Sequence, residues 1–140
     1  MMSDSTILVL SALLTWLMVC NSSGQRIQAR KPGGMERAFG NRDNLPEPTP
    51  LAGRADRAAK NMVENLAMFV ALMAAVHFAG KAGEQATLGA NIFFWSRLAF
   101  WPCYLAGIHY LRTAIWLVSL FGMALIAAAA LWRLVSQVSP

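Results

Sequence analysis

Four stretches of this sequence stay apolar over nearly the thickness of a bilayer, and that constrains the fold more than anything else in it. They run over Thr6–Cys20, Ala58–Gly80, Thr87–Gly107 and Thr113–Trp132, about 15–23 residues each. A helix needs ~20 predominantly apolar residues to cross the hydrocarbon. Within that layer backbone amides must be satisfied by the protein itself, so only helices or a closed barrel can span it. The stretches are continuously apolar rather than alternating, which points to helices. Only 14% of the residues are charged, against roughly 25% in soluble domains. The expectation is an all-α, integral membrane, four-helix up-down bundle forming a single domain over residues 1–140. Short connections after the second and third stretches imply antiparallel neighbours.

The first stretch has an alternative reading as a signal peptide. Against it, Asp4 is the only charge before Arg26, and neither a basic leader nor a small-residue cleavage pattern is present. Cys20 and Cys103 fall inside predicted helices and read as small apolar core residues. With His77 and His109 far apart and no Cys/His cluster, neither a disulfide nor a metal site is expected. The tryptophans Trp16, Trp95, Trp101, Trp116 and Trp132 read as interfacial anchors or lipid-facing packing.

Charge sets the expected orientation. Eight of the twelve Lys and Arg lie between Arg26 and Lys60, whereas the next connection offers only Lys81, balanced by Glu84. By the positive-inside rule the first loop, residues 21–57, is cytoplasmic in a multi-pass membrane protein. Four acids share that loop and Phe39 is the single aromatic among its cations, so membrane lipids fit better than nucleic acid. Between Asn21 and Gly53, Gly33, Gly34, Gly40, Pro46, Pro48 and Pro50 predict irregular, extended chain. Such a loop either covers a ligand at the mouth of the bundle or is a plain tether.

The second stretch opens with polar groups that bare hydrocarbon would not accept. At 100° per residue Arg57, Asn61 and Glu64 fall within an arc of about 60°, with Lys60 at its border. On the third stretch Arg97 and Tyr104 lie two turns apart on one face. Arg97, near mid-membrane, needs a partner, and Glu64 is the only acid well inside a span. A Glu64–Arg97 ion pair with Asn61 as interhelical glue is one reading; a ligand site between helices is the other. Arg112 and Thr113 open the fourth stretch. They read either as an interfacial anchor and a helix cap, or as a guanidinium and hydroxyl that bind an anion or lower a thiol's pKa. Together these groups suit a small zwitterion with excess negative charge, beside an apolar wall for a lipophilic partner.

The run from Arg57 through Asn61 and Glu64 to Asn65, with Ala58 after the arginine, resembles the second-helix signature of the MAPEG family, membrane-associated proteins in eicosanoid and glutathione metabolism. Ser96-Arg97, Tyr104, Gly107 and Leu111-Arg112-Thr113 resemble its third helix and the start of its fourth. The resemblance implies a homotrimer with glutathione as co-substrate, bound between subunits near the cytoplasmic face. It implies binding roles for Asn61, Glu64, Arg97 and Tyr104, to which the cations Arg57 and Lys60 are added, and a thiol-activating role for Arg112 and Thr113. It also implies a helix-one arginine, matched by Arg26 or Arg30. The chain departs from the pattern at Lys60, where members often carry Arg, at Phe100, where some carry His, and near Trp116, where some carry Tyr. The function expected is a membrane-bound glutathione-dependent transferase or peroxidase acting on a lipophilic electrophile or hydroperoxide. The alternatives are a non-catalytic lipid-binding or scaffold protein of the same fold, and a plain bundle.

Overall fold

The computed structural model describes residues 1–30, 32–41, 47–80 and 83–138. Five helices cover most of them: α1 (Asp4–Ala29), α2 (Gly34–Phe39), α3 (Pro50–Phe78), α4 (Glu84–Ala106) and α5 (His109–Val138). Three of them, α1, α3 and α5, are long and apolar enough to cross a membrane. α4 is 23 residues long, but Asn91, Ser96, Arg97 and Pro102 lower its hydropathy, and it is not among the three.

Several expectations are corrected here. The helices outrun their apolar stretches, because polar ends outside hydrocarbon are still good helix. α1 continues past Cys20 to Ala29, and α3 starts at Pro50 rather than near Ala58. The loop expected to be extended over residues 21–57 is therefore largely helical, with a fifth helix, α2, inside it. Pro50 starts α3 rather than breaking it: it occupies the first turn, where its missing N–H is not needed, and the Thr49 hydroxyl accepts from Ala52 N at 3.3 Å. Pro46, Lys31, Arg42 and Lys81 lie outside the described residues. Cys20 is exposed and Cys103 half-buried, so neither is a core residue. Of the tryptophans, Trp16, Trp95 and Trp132 are exposed, as interfacial or lipid-facing residues would be.

Directions follow from residue pairs. From α3 to α4, Arg54 meets Leu105, Asn61 meets Arg97 and Phe69 meets Phe93. One number rises as the other falls, so these helices are antiparallel. α4 and α5 are antiparallel too, with Gln85 bonded to Leu125 and Gly89 against Gly122. α1 runs against α3, with Ser22 near Asp56 at one end, and its N-terminus is pinned to α4, where the Asn91 amide exchanges two bonds with Met2 at 3.1 and 3.3 Å.

Packing is closest between α4 and α5. A methyl group on Gly89 would lie 2.5 Å from the Gly122 carbonyl oxygen, so glycine there lets the two backbones touch. The core is Ile7, Leu14, Met18, Met62, Phe69, Phe93 and Ile126 with small alanines between them. Phe69 and Phe93 stack with centroids 4.2 Å apart and planes 6° from parallel. Among the described helices α2 packs only on α1. Gly34 sits so close to the Ile27 carbonyl that any side chain would collide with it, while Phe39 projects outward, 87% exposed. α4 ends at Gly107, whose φ of 78° suits glycine, and Ile108 N returns to Cys103 O at 3.2 Å. This tight turn places the end of α4 directly beside the start of α5.

Candidate functional site

The end of the molecule where α3 and α5 begin and α4 finishes holds a cleft of about 160 Å³. Asn61 of α3, Phe100 and Tyr104 of α4, and Arg112, Thr113 and Trp116 of α5 line it. Four sequence-predicted residues, Asn61, Tyr104, Arg112 and Thr113, thus meet in one place although 52 positions separate the first from the last.

A ladder of cations and rings runs from behind the cleft to its rim. Arg97 is fully buried at 0% exposure, and its Nη1 donates to Asn61 Oδ1 at 2.8 Å. Its guanidinium lies 5.5 Å from the Phe93 ring centre and 5.3 Å from that of Phe100. Phe100 leans on Tyr104 with centroids 5.2 Å apart, and Arg112 covers the outer face of Tyr104 at 4.7 Å. Cation–π contacts of this kind contribute about 0.5–2 kcal/mol each. The spacing 97, 100, 104 puts these side chains on one α4 face.

Of the two readings of Arg97, the Glu64–Arg97 ion pair does not form. Glu64 is exposed on the outer side of α3, and Arg97 is held instead by a neutral amide and two rings. The helical arc was right, but α3 is rotated so that Asn61 points to α4 and Glu64 does not. Nor does Arg97 line the cleft; it lies behind Asn61 and Phe100. By accepting from Arg97, the Asn61 oxygen is committed inward, which leaves the amide N–H groups as donors for the cleft. Thr113 is not a helix cap either. α5 starts earlier, at His109, and the Thr113 hydroxyl donates to His109 O at 3.0 Å.

Arg57 and Lys60 are also exposed and outside the cleft. Lys60 Nζ pairs with Asp56 at 3.0 Å. The same carboxylate binds Arg26 of α1 at 2.8 Å, with the Ser22 hydroxyl at 3.4 Å. This clamp between α1 and α3 was missed in the sequence. The Asp56–Lys60 spacing of four hinted at a pair, but only tertiary packing brings Arg26 to it. Arg54 Nε likewise bonds Leu105 O at 2.8 Å, tying α3 to the end of α4.

The arrangement provides a cation, a phenol, a hydroxyl and an amide around a small opening beside apolar rings, so it can bind an anion next to a lipophile. Residues 5–132 match the MAPEG family model. The chain belongs to the MAPEG family. Together with the three membrane-length helices this makes it a multi-pass membrane protein. No curated protein and no solved structure matches it, so for this MAPEG protein the site must be read from its own geometry. Among the described residues no His/Cys/Asp/Glu cluster could hold a metal.

Proposed function

We propose that this MAPEG protein is a membrane-bound glutathione-dependent transferase or peroxidase acting on a lipophilic electrophile or hydroperoxide. The observation that carries the reading is Arg112 fixed against Tyr104 at the rim of the cleft, with Asn61 and Thr113 alongside. A guanidinium beside a thiol favours the thiolate. Stacking on Tyr104 holds that charge in place and costs little reorganisation. Thr113 acts second: to donate to sulfur its hydroxyl must release His109 O. In the transferase reaction the sulfur electron pair forms the new C–S bond and the leaving group departs with the electrons of the broken one. With a hydroperoxide the sulfur attacks the O–O bond, an alcohol leaves, and a second thiol converts the sulfenic acid to disulfide and water. In this reading Tyr104, which lines the cleft beside Arg112, donates to the developing charge.

The active form in this reading is a homotrimer of four-span, up-down bundles. One chain's cleft of about 160 Å³ is well below the roughly 300–1,000 Å³ usual for small-molecule sites. Arg57 and Glu64, exposed on one side of α3, would then serve a site shared with a neighbouring copy. Only 33%, 28% and 33% of the three spans' apolar windows is buried within the chain, which leaves surface for copies and for lipid. The end bearing Arg26, Arg30, Arg37, Arg54, Arg57, Lys60 and Arg112 faces the cytoplasm, by the positive-inside rule, and a bacterial inner membrane is the setting. A second reading, lipid binding without catalysis, draws on an apolar groove of about 400 Å³ lined by Ile92, Trp95, Ala99, Ile115 and Val118.

Calorimetry of glutathione with the detergent-purified protein, beside Arg112→Ala, tests the proposal. Saturable binding that weakens in the variant, with loss of turnover on a model electrophile, is expected. No heat at millimolar glutathione would remove the glutathione reading and favour the lipid-binding one.

A further inference from the structure

The opposite end of the molecule carries a second cleft, of about 290 Å³, that shares no residue with the first. Asp4, Ser5 and Leu8 from the first turns of α1 form one side, and Val70, Met73, Ala74, His77 and Phe78 from the last turns of α3 form the other. The walls differ in chemistry. Leu8, Val70, Met73 and Ala74 make an apolar floor. Asp4, Ser5 and His77 are polar, and Phe78 stands at the rim, 86% exposed, edge-on to His77.

The decisive atom is Asp4 Oδ1, which is buried and has no hydrogen-bond partner. The neighbouring hydroxyls are committed elsewhere: Ser3 and Thr6 bond each other at 2.8 Å, and Ser3 also accepts from Thr6 N. Among the described residues no Lys, Arg, His or terminal amine pairs with Asp4. Arg133, a cation at this end, instead lies across the α3–α4 turn beside Gly80 and Gly83. Asp4 as a whole is half-buried, but this one oxygen is shielded from water and has no donor, which leaves the cleft a place for a positively charged one. The floor calls for an apolar tail on that donor, and an aromatic ring at the rim favours a cation.

We infer that this cleft binds a primary ammonium carried on an apolar chain, supplied by the head group of an ethanolamine-type phospholipid. The ammonium donates to Asp4 and to the Ser5 hydroxyl oxygen, the His77 imidazole donates to a phosphate oxygen, and an acyl chain lies on Leu8, Val70, Met73 and Ala74. The position suits such a lipid, because the ends of α1 and α3 fall where a span leaves the hydrocarbon. A choline head group fills the same space but has no N–H to donate, so the site distinguishes the two. The inference is independent of the glutathione reading.

Native mass spectrometry of the delipidated full-length protein, given equal amounts of phosphatidylethanolamine and phosphatidylcholine of one chain length, tests it. The wild type should retain the ethanolamine lipid at least about tenfold better, the scale of one charge-assisted hydrogen bond. Asp4→Asn should abolish that preference, and Asp4→Glu should keep most of it. Ala74→Trp, which fills the floor without touching the charge, should displace the lipid. Dodecylamine, tested alone against dodecyltrimethylammonium, separates the sources: binding of the amine with none of the lipid assigns the site to free amphiphilic amines and upholds ammonium recognition. Equal retention of the two lipids by the wild type with no binding of the amine, or a preference that survives Asp4→Asn, overturns the inference.

Discussion

Replacing Asn61 by leucine should destabilise the protein by about 2 kcal/mol, and only while Arg97 is present. Arg97 is sealed from solvent at 0% exposure and makes one side-chain hydrogen bond, Nη1 to Asn61 Oδ1 at 2.8 Å, while its Nε and Nη2 have no partner. A hydrogen bond to a charged group contributes about 1.5–3 kcal/mol. Leucine has the branched outline of asparagine and its extra bulk can enter the cleft that Asn61 lines, so no cavity is left, and the two ring contacts of Arg97 survive. In an Arg97→Leu background nothing remains for Asn61 to bond, and the same change should cost less than about 0.5 kcal/mol. Arg97→Leu alone should be near neutral or stabilising, because an under-partnered buried charge is exchanged for apolar packing. Unfolding free energies of the four detergent-solubilised proteins close the cycle, with a coupling of about 2 kcal/mol expected. Equal costs of Asn61→Leu in both backgrounds would refute the argument. A Glu64→Gln change as damaging as Asn61→Leu would refute it too, because exposed Glu64 should matter by only about 0.5 kcal/mol.

Three further outcomes follow from packing and charge. Gly89→Ala places a methyl 2.5 Å from the Gly122 carbonyl and should cost about 1–3 kcal/mol by forcing α4 from α5, read as a lower melting temperature. Phe69→Ala empties the ring stack with Phe93 and should cost about 3–5 kcal/mol, measured by denaturant unfolding. Asp56→Asn releases Arg26 and Lys60, whose pairs are partly solvent-exposed, so the loss should stay below about 1 kcal/mol and shrink further in 1 M salt.

The polar face of α3 shows how far the sequence could be read. Arg57, Asn61 and Glu64 lie on one arc by helix geometry alone, but an arc of about 60° does not say which edge meets a neighbour. Packing turned Asn61 inward and left Glu64 outside, since a neutral amide bonded to Arg97 costs less to bury than a second charge. Thr113 was misplaced for a related reason. Hydropathy marks where a span is apolar, whereas the helix starts where its backbone can first close bonds, which here is His109.

Composition and apolar length alone determined an all-helical membrane chain, and the residue run from Arg57 to Thr113 pointed to the family. Those properties are carried by local sequence, because burying a helix in lipid needs only its own residues. Tertiary structure decided the rest. It brought Asn61, Tyr104, Arg112 and Thr113 to one cleft, set Arg97 behind that cleft as support, joined Arg26 to Asp56 and opened a second cleft between Asp4 and His77. Each of these depends on how one helix is rotated against another. That rotation is fixed by close contacts such as Gly89 on Gly122, which no single stretch of sequence contains.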